Sequence, residues 1–340
     1  METKTKIKIG ISLGDFNGIG PEVILKTLAD TRILNYCNPV IYGSGQIVNK
    51  MRKSLGLENF SFQQYKSAEA LESKRVNVIN CWDEDYEITL GKPTPESGKA
   101  ALKSLQAACQ DLKNGLIDGL VTAPIDKDNI QADDFSFPGH TEYLTSYFDS
   151  PESLMFLVSE KLRVATVTGH IPLKEVVHRL TPELLIVKLS LLLESLQKDF
   201  GIQKPRIAVL GLNPHAGEKG LLGREEEEII IPAINQLKNK GHLVFGPYPA
   251  DGFFGTGHYR QVDGVLAMYH DQGLIPFKTL AFETGVNFTA GLPIVRTSPD
   301  HGTAYDIAGK NMARETSFRE ALFLACDIIR KRQAVPVSPI

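Results

Sequence analysis

Short apolar runs alternate with amphipathic helical segments along nearly the whole chain of 340 residues. The clearest runs lie at 7–13, 118–124, 163–169, 206–212 and 264–269, and each has the length of one strand. Several are continuously apolar, which is typical of strands whose sheet is covered by helices on both faces. The alternation therefore predicts an α/β fold built on a mostly parallel sheet.

The chain is long for a single compact domain, so we expect two lobes. Polar, turn-rich segments at 128–140 and 297–312 are the candidate crossovers between them. We predict a discontinuous first α/β/α lobe comprising 1–130 and 300–340, and a second α/β/α lobe comprising 131–299.

Bulk properties exclude several classes of protein. Acidic and basic residues are interleaved and the net charge is only -3, so no basic stripe suggests a nucleic-acid partner. No apolar stretch is long enough to span a bilayer, and the N-terminus lacks the pattern of a signal peptide. The four scattered cysteines predict neither a zinc ribbon nor a disulfide framework. We expect a cytoplasmic protein that binds neither nucleic acid nor a membrane.

Three histidines occupy equivalent places in this pattern. His170, His215 and His270 each lie where a strand-like run gives way to a turn marked by glycine or proline. Side chains at the carboxyl ends of parallel strands converge on the ligand crevice of such a fold. Three neutral imidazoles gathered there would hold a divalent metal and leave coordination positions open. The sequence thus predicts a catalytic metal site, with zinc favoured and cobalt or magnesium as alternatives.

Two further features have simpler interpretations. The glycines of GDFNGIGPEV, at 14–23, follow the first strand but lack the GxGxxG spacing of a Rossmann dinucleotide site. We interpret them as a flexible turn that leads into a helix beginning at Pro21. The acidic run Glu225–Glu228 falls in the first turns of a helix, where we expect a solvated face that favours the positive end of the helix dipole.

Several motifs resemble those of known enzyme families. GDFNGIGPEV resembles the GDGIGPEV opening of the isocitrate and isopropylmalate dehydrogenases, and HGTAYDIAGK at 301–310 resembles their HGSAPDIAGK cofactor loop. A closer resemblance, over essentially the whole chain, is to the 4-hydroxythreonine-4-phosphate dehydrogenase (PdxA) family. The motifs that carry it include LVTAPIDK, FPGHTEYL, VTGHIPL, LNPHAGEKGLLGREE, MYHDQGLIPFK and VNFTAGLPIVRTSPDHGTAYDIAGK.

The resemblance implies a two-lobed fold of the isocitrate/isopropylmalate dehydrogenase type and a homodimer. It also implies an active site in the cleft between the lobes that draws residues from both subunits. His170, His215 and His270 match the metal ligands of the family. Five residues match its contacts to a phosphorylated substrate, namely His140, Thr141, Lys278, Asn287 and Arg296. The cofactor, NAD or NADP, is expected at His301, Gly302, Thr303, Ala304 and Asp306.

The residue types of the implied substrate site agree with this role. Lys278 and Arg296 are cations in apolar, turn-bounded segments, and both suit phosphate oxygens. Without the resemblance, each would more often be a surface charge. Asn287 would be an ordinary turn amide that precedes a strand, and Thr141 would serve equally as a helix N-cap.

The implied activity is NAD(P)- and divalent-metal-dependent oxidation of 4-phosphohydroxy-L-threonine to 2-amino-3-oxo-4-phosphooxybutanoate. This product decarboxylates to 3-amino-2-oxopropyl phosphate in pyridoxal phosphate biosynthesis. Asp251 and Asp271 are the candidates for the general base, and Asp271 is favoured instead as the partner that orients the His270 imidazole.

Three alternatives stay open. Sibling dehydrogenases would oxidise 4-phosphothreonate or 4-phosphoerythronate, which lack the amine. A cis-dihydrodiol dehydrogenase is a more distant relative, and the two cations Lys278 and Arg296 count against its unphosphorylated substrate. A metal- or phosphate-binding module without enzymatic activity would need the histidines but not the HGTAYDIAGK loop.

Overall fold

The computed structural model describes residues 6–132 and 135–334. Its strands, numbered in chain order, are β1 (Lys8–Ser12), β2 (Asn38–Gly43), β3 (Phe62–Tyr65), β4 (Val76–Asn80), β5 (Gly119–Thr122), β6 (Leu154–Val158), β7 (Arg163–Thr166), β8 (Arg206–Leu210), β9 (Leu243–Tyr248), β10 (Gly264–Ala267), β11 (Val286–Ala290) and β12 (Arg296–Pro299). Its helices are α1 (Gly20–Ala29), α2 (Ile33–Tyr36), α3 (Gly45–Ser54), α4 (Pro95–Lys113), α5 (His140–Tyr147), α6 (Leu173–Arg179), α7 (Pro182–Lys198), α8 (Ile231–Asn239), α9 (Ala250–Gly255), α10 (His270–Ala281) and α11 (Thr316–Ala334).

The chain forms two compact units. The first comprises Met1–Asp149 and Pro293–Arg330, and the second comprises Ser150–Leu292 and Lys331–Ile340. Segments 131–149 and 293–299, which the sequence-based division assigned to the second lobe, belong to the first unit, whereas residues 331–334, which it assigned to the first lobe, belong to the second unit. The ends of the predicted first lobe, 1–5 and 335–340, lie outside the described residues, as do residues 133–134 of the predicted crossover.

The first unit contains a parallel sheet in the strand order β3-β4-β2-β1-β5-β12. Its central strands β1, β2 and β5 are almost entirely buried, and Ile9, Ile11, Val40 and Val121 are fully inaccessible. Helix α4 packs across β1, β2 and β5. It begins after Thr94, whose side chain accepts a hydrogen bond from the backbone N–H of Ser97 in a capping box.

The second unit contains a mixed sheet in the order β11-β6-β7-β10-β8-β9. Strands β7, β10, β8 and β9 are parallel, whereas β6 runs antiparallel to both β11 and β7. Helix α7 packs on β6, β10 and β11, and α10 packs on β7 and β10. The prediction of an α/β fold with a mostly parallel sheet is confirmed, and strand β6, antiparallel to both of its neighbours, is the local exception.

No helix within 6–132 and 135–334 has the length and apolar character needed to cross a membrane. All four cysteines are free. Cys109 on α4 and Cys326 on α11 are fully buried.

A buried ion pair stabilises the second unit near its C-terminal end. The Arg332 guanidinium donates to Asp199 Oδ1 at 2.7 Å, and the Ser195 hydroxyl donates to Asp199 Oδ2 at 2.8 Å. The Asp199 side chain is only 3% exposed. Removing the cation would leave a buried carboxylate with a single neutral donor, which is costly.

Replacing Arg332 with methionine should therefore lower the free energy of unfolding by about 3 kcal/mol. Chemical denaturation of the purified variant measures this change. Lys331→Met is the matched control because it removes an exposed cation at the next position, and it should stay within about 0.5 kcal/mol of the wild type. Equal losses in the two variants would contradict the role given to the ion pair.

Candidate functional site

Three neighbouring parallel strands of the second unit, β7, β10 and β8, each lead into one of the predicted metal ligands. Pairing of β7 with β10 continues past their ends, because Val167 N–H donates to the Ala267 carbonyl at 2.8 Å and Thr168 Oγ1 donates to the Met268 carbonyl at 2.8 Å. The segments that carry His170 and His270 are thereby held side by side. This is the edge of the sheet at which an α/β fold binds its ligands.

The imidazoles of His170 and His270 lie together, with ring centroids 5.2 Å apart and planes inclined by 46°. Two imidazoles that share one tetrahedral zinc at about 2.0–2.1 Å from the ligand nitrogens would have ring centres about 5 Å apart. The spacing of this pair thus fits a shared divalent ion.

Asp271 contacts the second of these rings directly. The Nδ1 atom of His270 lies 2.7 Å from Asp271 Oδ1. A proton on Nδ1 donates to the carboxylate in this arrangement and leaves the lone pair of Nε2 for a metal. The contact supports the orienting role for Asp271, while the other acidic candidate, Asp251, is exposed in the first turn of α9.

Within one chain, the His215 side chain does not form a metal-binding group with those of His170 and His270. Its side chain is 70% exposed, and its Nδ1 lies 4.0 Å from Glu218 Oε2. Within the described part of one chain, no group of three or more histidine, cysteine or acidic side chains is arranged to hold a metal ion. The structure therefore brings together two of the three predicted ligands.

The acidic run at the start of the helical segment after His215 was predicted to be a solvated face, and this is wrong for Glu226. Its side chain is buried, whereas Glu227 and Glu228 are exposed. Residues Glu226–Ile230 form a π-helical turn, in which the extra residue changes the direction of successive side chains. Backbone amides after β8 supply hydrogen bonds to the buried carboxylate, so burial is compensated.

Gln272 connects the segments that follow β10 and β8, and no sequence pattern indicated this role. Its Oε1 accepts from Met268 N–H at 2.7 Å, and its Nε2 donates to the Gly211 carbonyl at 2.6 Å. Since Gln272 lies in the first turn of α10, this bridge sets the start of the helix that carries His270 relative to the loop that carries His215.

Two of the predicted substrate residues, His140 and Arg296, interact electrostatically in the first unit, where Arg296 is buried and His140 is partly buried. Arg296 is 3% exposed, and its Nε and Nη2 donate to Thr122 Oγ1 at 3.1 and 2.6 Å. Burial lowers the pKa of Arg296 to about 10, although Glu142 and Cys109 act in the opposite direction, so the side chain is still a cation at neutral pH. The alternative of a surface charge is wrong for this residue.

The neighbouring imidazole is held neutral. Burial, reinforced by the cations Arg296 and Lys127, lowers the pKa of His140 well below its usual value. Its Nε2 is buried and makes no hydrogen bond to any residue that the structure describes. Such an unpaired buried polar atom beside a buried cation is available to an anionic ligand oxygen.

The other predicted substrate residues differ in detail from expectation. Helix α5 begins at His140 with Gly139 as its N-cap, so Thr141 lies in the first turn and the N-cap alternative is wrong. In the second unit, Lys278 lies on helix α10 instead of in a short segment bounded by turns. Asn287 lies within β11 instead of preceding a strand, and its buried Oδ1 has no hydrogen-bond partner among the described residues.

The predicted cofactor loop is packed against the glycine turn in the first unit. The Thr303 carbonyl accepts from Ile19 N–H at 2.9 Å, and a Cβ on Gly18 would lie 2.8 Å from that same carbonyl oxygen. The whole turn from Gly14 to Gly20 is buried, so the prediction of a flexible turn is wrong. The backbone amides of Asp15, Asn17, Gly18 and Ile19 donate to protein acceptors.

Asp15, in the middle of that turn, receives donors from three other motifs. Its Oδ2 accepts from Ser97 Oγ at 2.8 Å, from Tyr305 Oη at 2.9 Å and from Asn129 Nδ2 at 3.3 Å. Burial and the Asp15 carboxylate raise the pKa of Tyr305, so its hydroxyl stays protonated and donates. The hydrogen bond from Tyr305 to the buried Asp15 carboxylate holds the centre of the cofactor loop in place.

The remaining loop residues stand around that fixed centre. Gly302 and Asp306 are exposed, whereas His301 and Ala304 are partly buried. An exposed carboxylate on a fixed loop suits the hydroxyl groups of a ribose.

Comparison with known proteins gives consistent matches over almost the whole chain. The family model for the pyridoxal phosphate biosynthetic protein PdxA matches residues 35–325. A 4-hydroxythreonine-4-phosphate dehydrogenase of Bacteroides thetaiotaomicron is 53% identical, with 99% of this chain and 93% of that protein covered. A D-threonate 4-phosphate dehydrogenase of Cupriavidus necator is 42% identical, with coverage of 95% and 98%. The crystal structure of 4-hydroxythreonine-4-phosphate dehydrogenase from Klebsiella pneumoniae matches with a TM-score of 0.82 at 36% identity, covering 96% of this chain and 99% of that one.

The neutral state of His140 predicts a pH dependence of stability. In the unfolded chain a histidine binds a proton below about pH 6.5, whereas folded His140 resists protonation. The unfolded state therefore binds more protons at low pH, and the free energy of unfolding should fall as the pH decreases below about 6.5, by up to about 1.4 kcal/mol per pH unit.

Denaturant unfolding of wild type and His140→Gln across this range measures the contribution. The variant should have a shallower slope, because glutamine does not titrate. His178→Gln, which changes an exposed histidine on α6, is the control and should keep the wild-type slope. An unchanged slope in His140→Gln would show that this imidazole is not held neutral.

Proposed function

The chain belongs to the PdxA family of pyridoxal phosphate biosynthetic proteins, and from this premise we propose that it oxidises 4-phosphohydroxy-L-threonine with NAD or NADP. The product, 2-amino-3-oxo-4-phosphooxybutanoate, then decarboxylates to 3-amino-2-oxopropyl phosphate. The observation that carries the proposal is the pair His170 and His270, whose 5.2 Å spacing suits a shared divalent ion at the ligand-binding edge of the sheet.

The reaction removes a hydride and a proton from a secondary alcohol. A bound divalent ion, zinc by preference with cobalt or magnesium as alternatives, would stabilise negative charge on the alcohol oxygen, and a bound nicotinamide would accept the hydride. In this proposal His170, His215 and His270 supply the nitrogen ligands. Asp271 fixes the His270 tautomer through its 2.7 Å contact, which leaves Asp251 as the acidic candidate for proton removal.

The phosphate of the substrate requires cationic and neutral donors. Arg296 supplies a buried permanent charge, and neutral His140 supplies a ring nitrogen without another partner among the described residues. Lys278 adds a second cation. Thr141 and Asn287 complete the proposed contacts as neutral polar groups. We assign the cofactor to His301, Gly302, Thr303, Ala304 and Asp306, and we place the reaction in the cytoplasm, where the four free cysteines stay reduced.

A sibling activity has one specific observation in its favour. The Cupriavidus necator relative at 42% identity is named for D-threonate 4-phosphate. Phosphothreonate and phosphoerythronate carry the same phosphate and secondary alcohol but no amine, so the metal and phosphate contacts proposed here would serve them equally.

Purified protein supplied with zinc or cobalt should reduce NAD or NADP when 4-phosphohydroxy-L-threonine is added, and a chelator should abolish this. His270→Asn should lower kcat/KM by more than about 100-fold, since loss of a ligand exceeds the loss typical of an outer partner. His178→Asn is the control and should retain activity. Faster turnover of 4-phosphothreonate would favour the sibling activity, and no turnover of either compound with metal present would overturn the proposal.

We also infer that the active protein is a homodimer. Four exposed apolar side chains, between 64% and 79% accessible, lie next to the histidine-bearing segments: Leu173, Leu221, Ile275 and Phe282. Leu173 begins α6 just after His170, Ile275 follows His270 on α10, and Phe282 directly follows the end of α10. A surface of this kind is typical of a subunit interface. A second copy would cover this surface, and His215 of the partner subunit would then join His170 and His270 as the third nitrogen ligand.

Mixed dimers test this arrangement. His215→Ala and His270→Ala should each be inactive alone. If His215 serves the partner's site, refolding the two variants together at equal concentration should restore roughly a quarter of the wild-type activity, because half of the dimers regain one intact site. Mixing His170→Ala with His270→Ala is the control and should restore nothing, because both side chains belong to one site. Equal behaviour of the two mixtures would contradict the shared site.

A further inference from the structure

The backbone around His215 has a conformation that L-residues rarely adopt. Five consecutive residues, His215–Lys219, have positive φ angles between 43° and 82° and form a left-handed turn. Only Gly217 enters this region without steric cost. Each of the other four residues is disfavoured there by about 1–2 kcal/mol, so surrounding contacts must hold the turn.

Those contacts converge on the buried carboxylate of Glu226. Its Oε1 accepts from Leu212 N–H at 2.7 Å and from Asn213 N–H at 2.8 Å, directly before the left-handed turn. Its Oε2 accepts from Asn213 Nδ2 at 3.0 Å. The same oxygen lies against Gly217, where an added Cβ would be only 2.6 Å away. The carboxylate therefore contacts both the residues that precede the turn and Gly217 at its middle.

We propose that Glu226 is the positioning residue that holds His215 in place as a metal ligand, an inference that rests on the ligand role proposed above. The π-helical turn directs Glu226 inward, while its neighbours Glu227 and Glu228 face solvent. A carboxylate is needed because three donors converge on two oxygens. A glutamine of the same shape would turn an NH₂ group toward a donor and leave that donor unpaired.

The first test is made on the metal-free protein, so it does not depend on catalysis. Hydrogen–deuterium exchange of peptides covering 211–223 reports whether the backbone amides of Leu212 and Asn213 are protected. Glu226→Gln should exchange faster than wild type in this segment alone. Glu228→Gln is the matched control, since it removes the same charge from an exposed pair with Arg224, and it should exchange like wild type.

The second test measures zinc affinity by competition with a chromophoric chelator. Glu226→Gln should bind Zn²⁺ more weakly by roughly 10- to 100-fold, the range typical of partners that orient metal ligands. Glu228→Gln should bind as tightly as wild type. In a His215→Ala background, Glu226→Gln should weaken binding no further, because the ligand through which it acts has gone.

Gly217→Ala keeps the test decisive if Glu226→Gln does not fold. Its new Cβ would push against Glu226 Oε2 without changing charge, and it should likewise speed exchange and weaken zinc binding. Unchanged exchange, unchanged affinity, or an additive effect in the His215→Ala background would each overturn the positioning role. If His215→Ala itself bound zinc like wild type, the ligand assignment of the proposed function would fail first, and the positioning role with it.

Discussion

The parallel alignment of β7, β10 and β8 is the constraint on which the candidate chemistry depends. Parallel neighbours end at the same edge of a sheet, so segments far apart in sequence emerge side by side. Hydrogen bonds from Val167 and Thr168 extend this alignment beyond the strands. The proximity of the His170 and His270 rings is therefore a property of the sheet register, and the loops only adjust it.

Two buried carboxylates hold in place the loops that follow the strands. Asp15 in the first unit and Glu226 in the second are each almost inaccessible, and each accepts hydrogen bonds from several chain segments. Removing a carboxylate from water is unfavourable unless such donors replace the water. A carboxylate that is fully satisfied in this way holds its donors in one geometry, which suits loops that must present ligands without a regular secondary structure of their own.

The sequence predicted the overall architecture because most strands are apolar runs with clear ends. It did not predict β12, since Arg296–Pro299 is a polar segment that is nevertheless buried throughout. Helix α10 was also missed, because Gly273 and Pro276 interrupt its pattern. Gly273 is there for close packing, as a Cβ would lie 2.7 Å from a Val164 methyl group. The periodicity of apolar residues does not reveal where such close packing is required.

The sequence indicated candidate ligand residues, which stay predictions, and it did not indicate the residues that support them. The context of the histidines and the motif resemblance indicated the groups that would touch ligands. Glu226 was misinterpreted because a run of like charges is usually solvated, and only the π-helical turn separates it from its neighbours. Gln272 and Asp15 act through contacts distant in sequence, so no local pattern marked them.

The turn at His215–Lys219 also has a stereochemical consequence. Its backbone follows the mirror image of the ordinary right-handed helix, which is the region preferred by amino acids of opposite chirality. A D-alanine introduced at Ala216 by chemical ligation would match this local geometry, although the same replacement in α4 or α7 would disrupt the helix. The left-handed conformation of these five residues thus makes this short segment suited to D-amino acids.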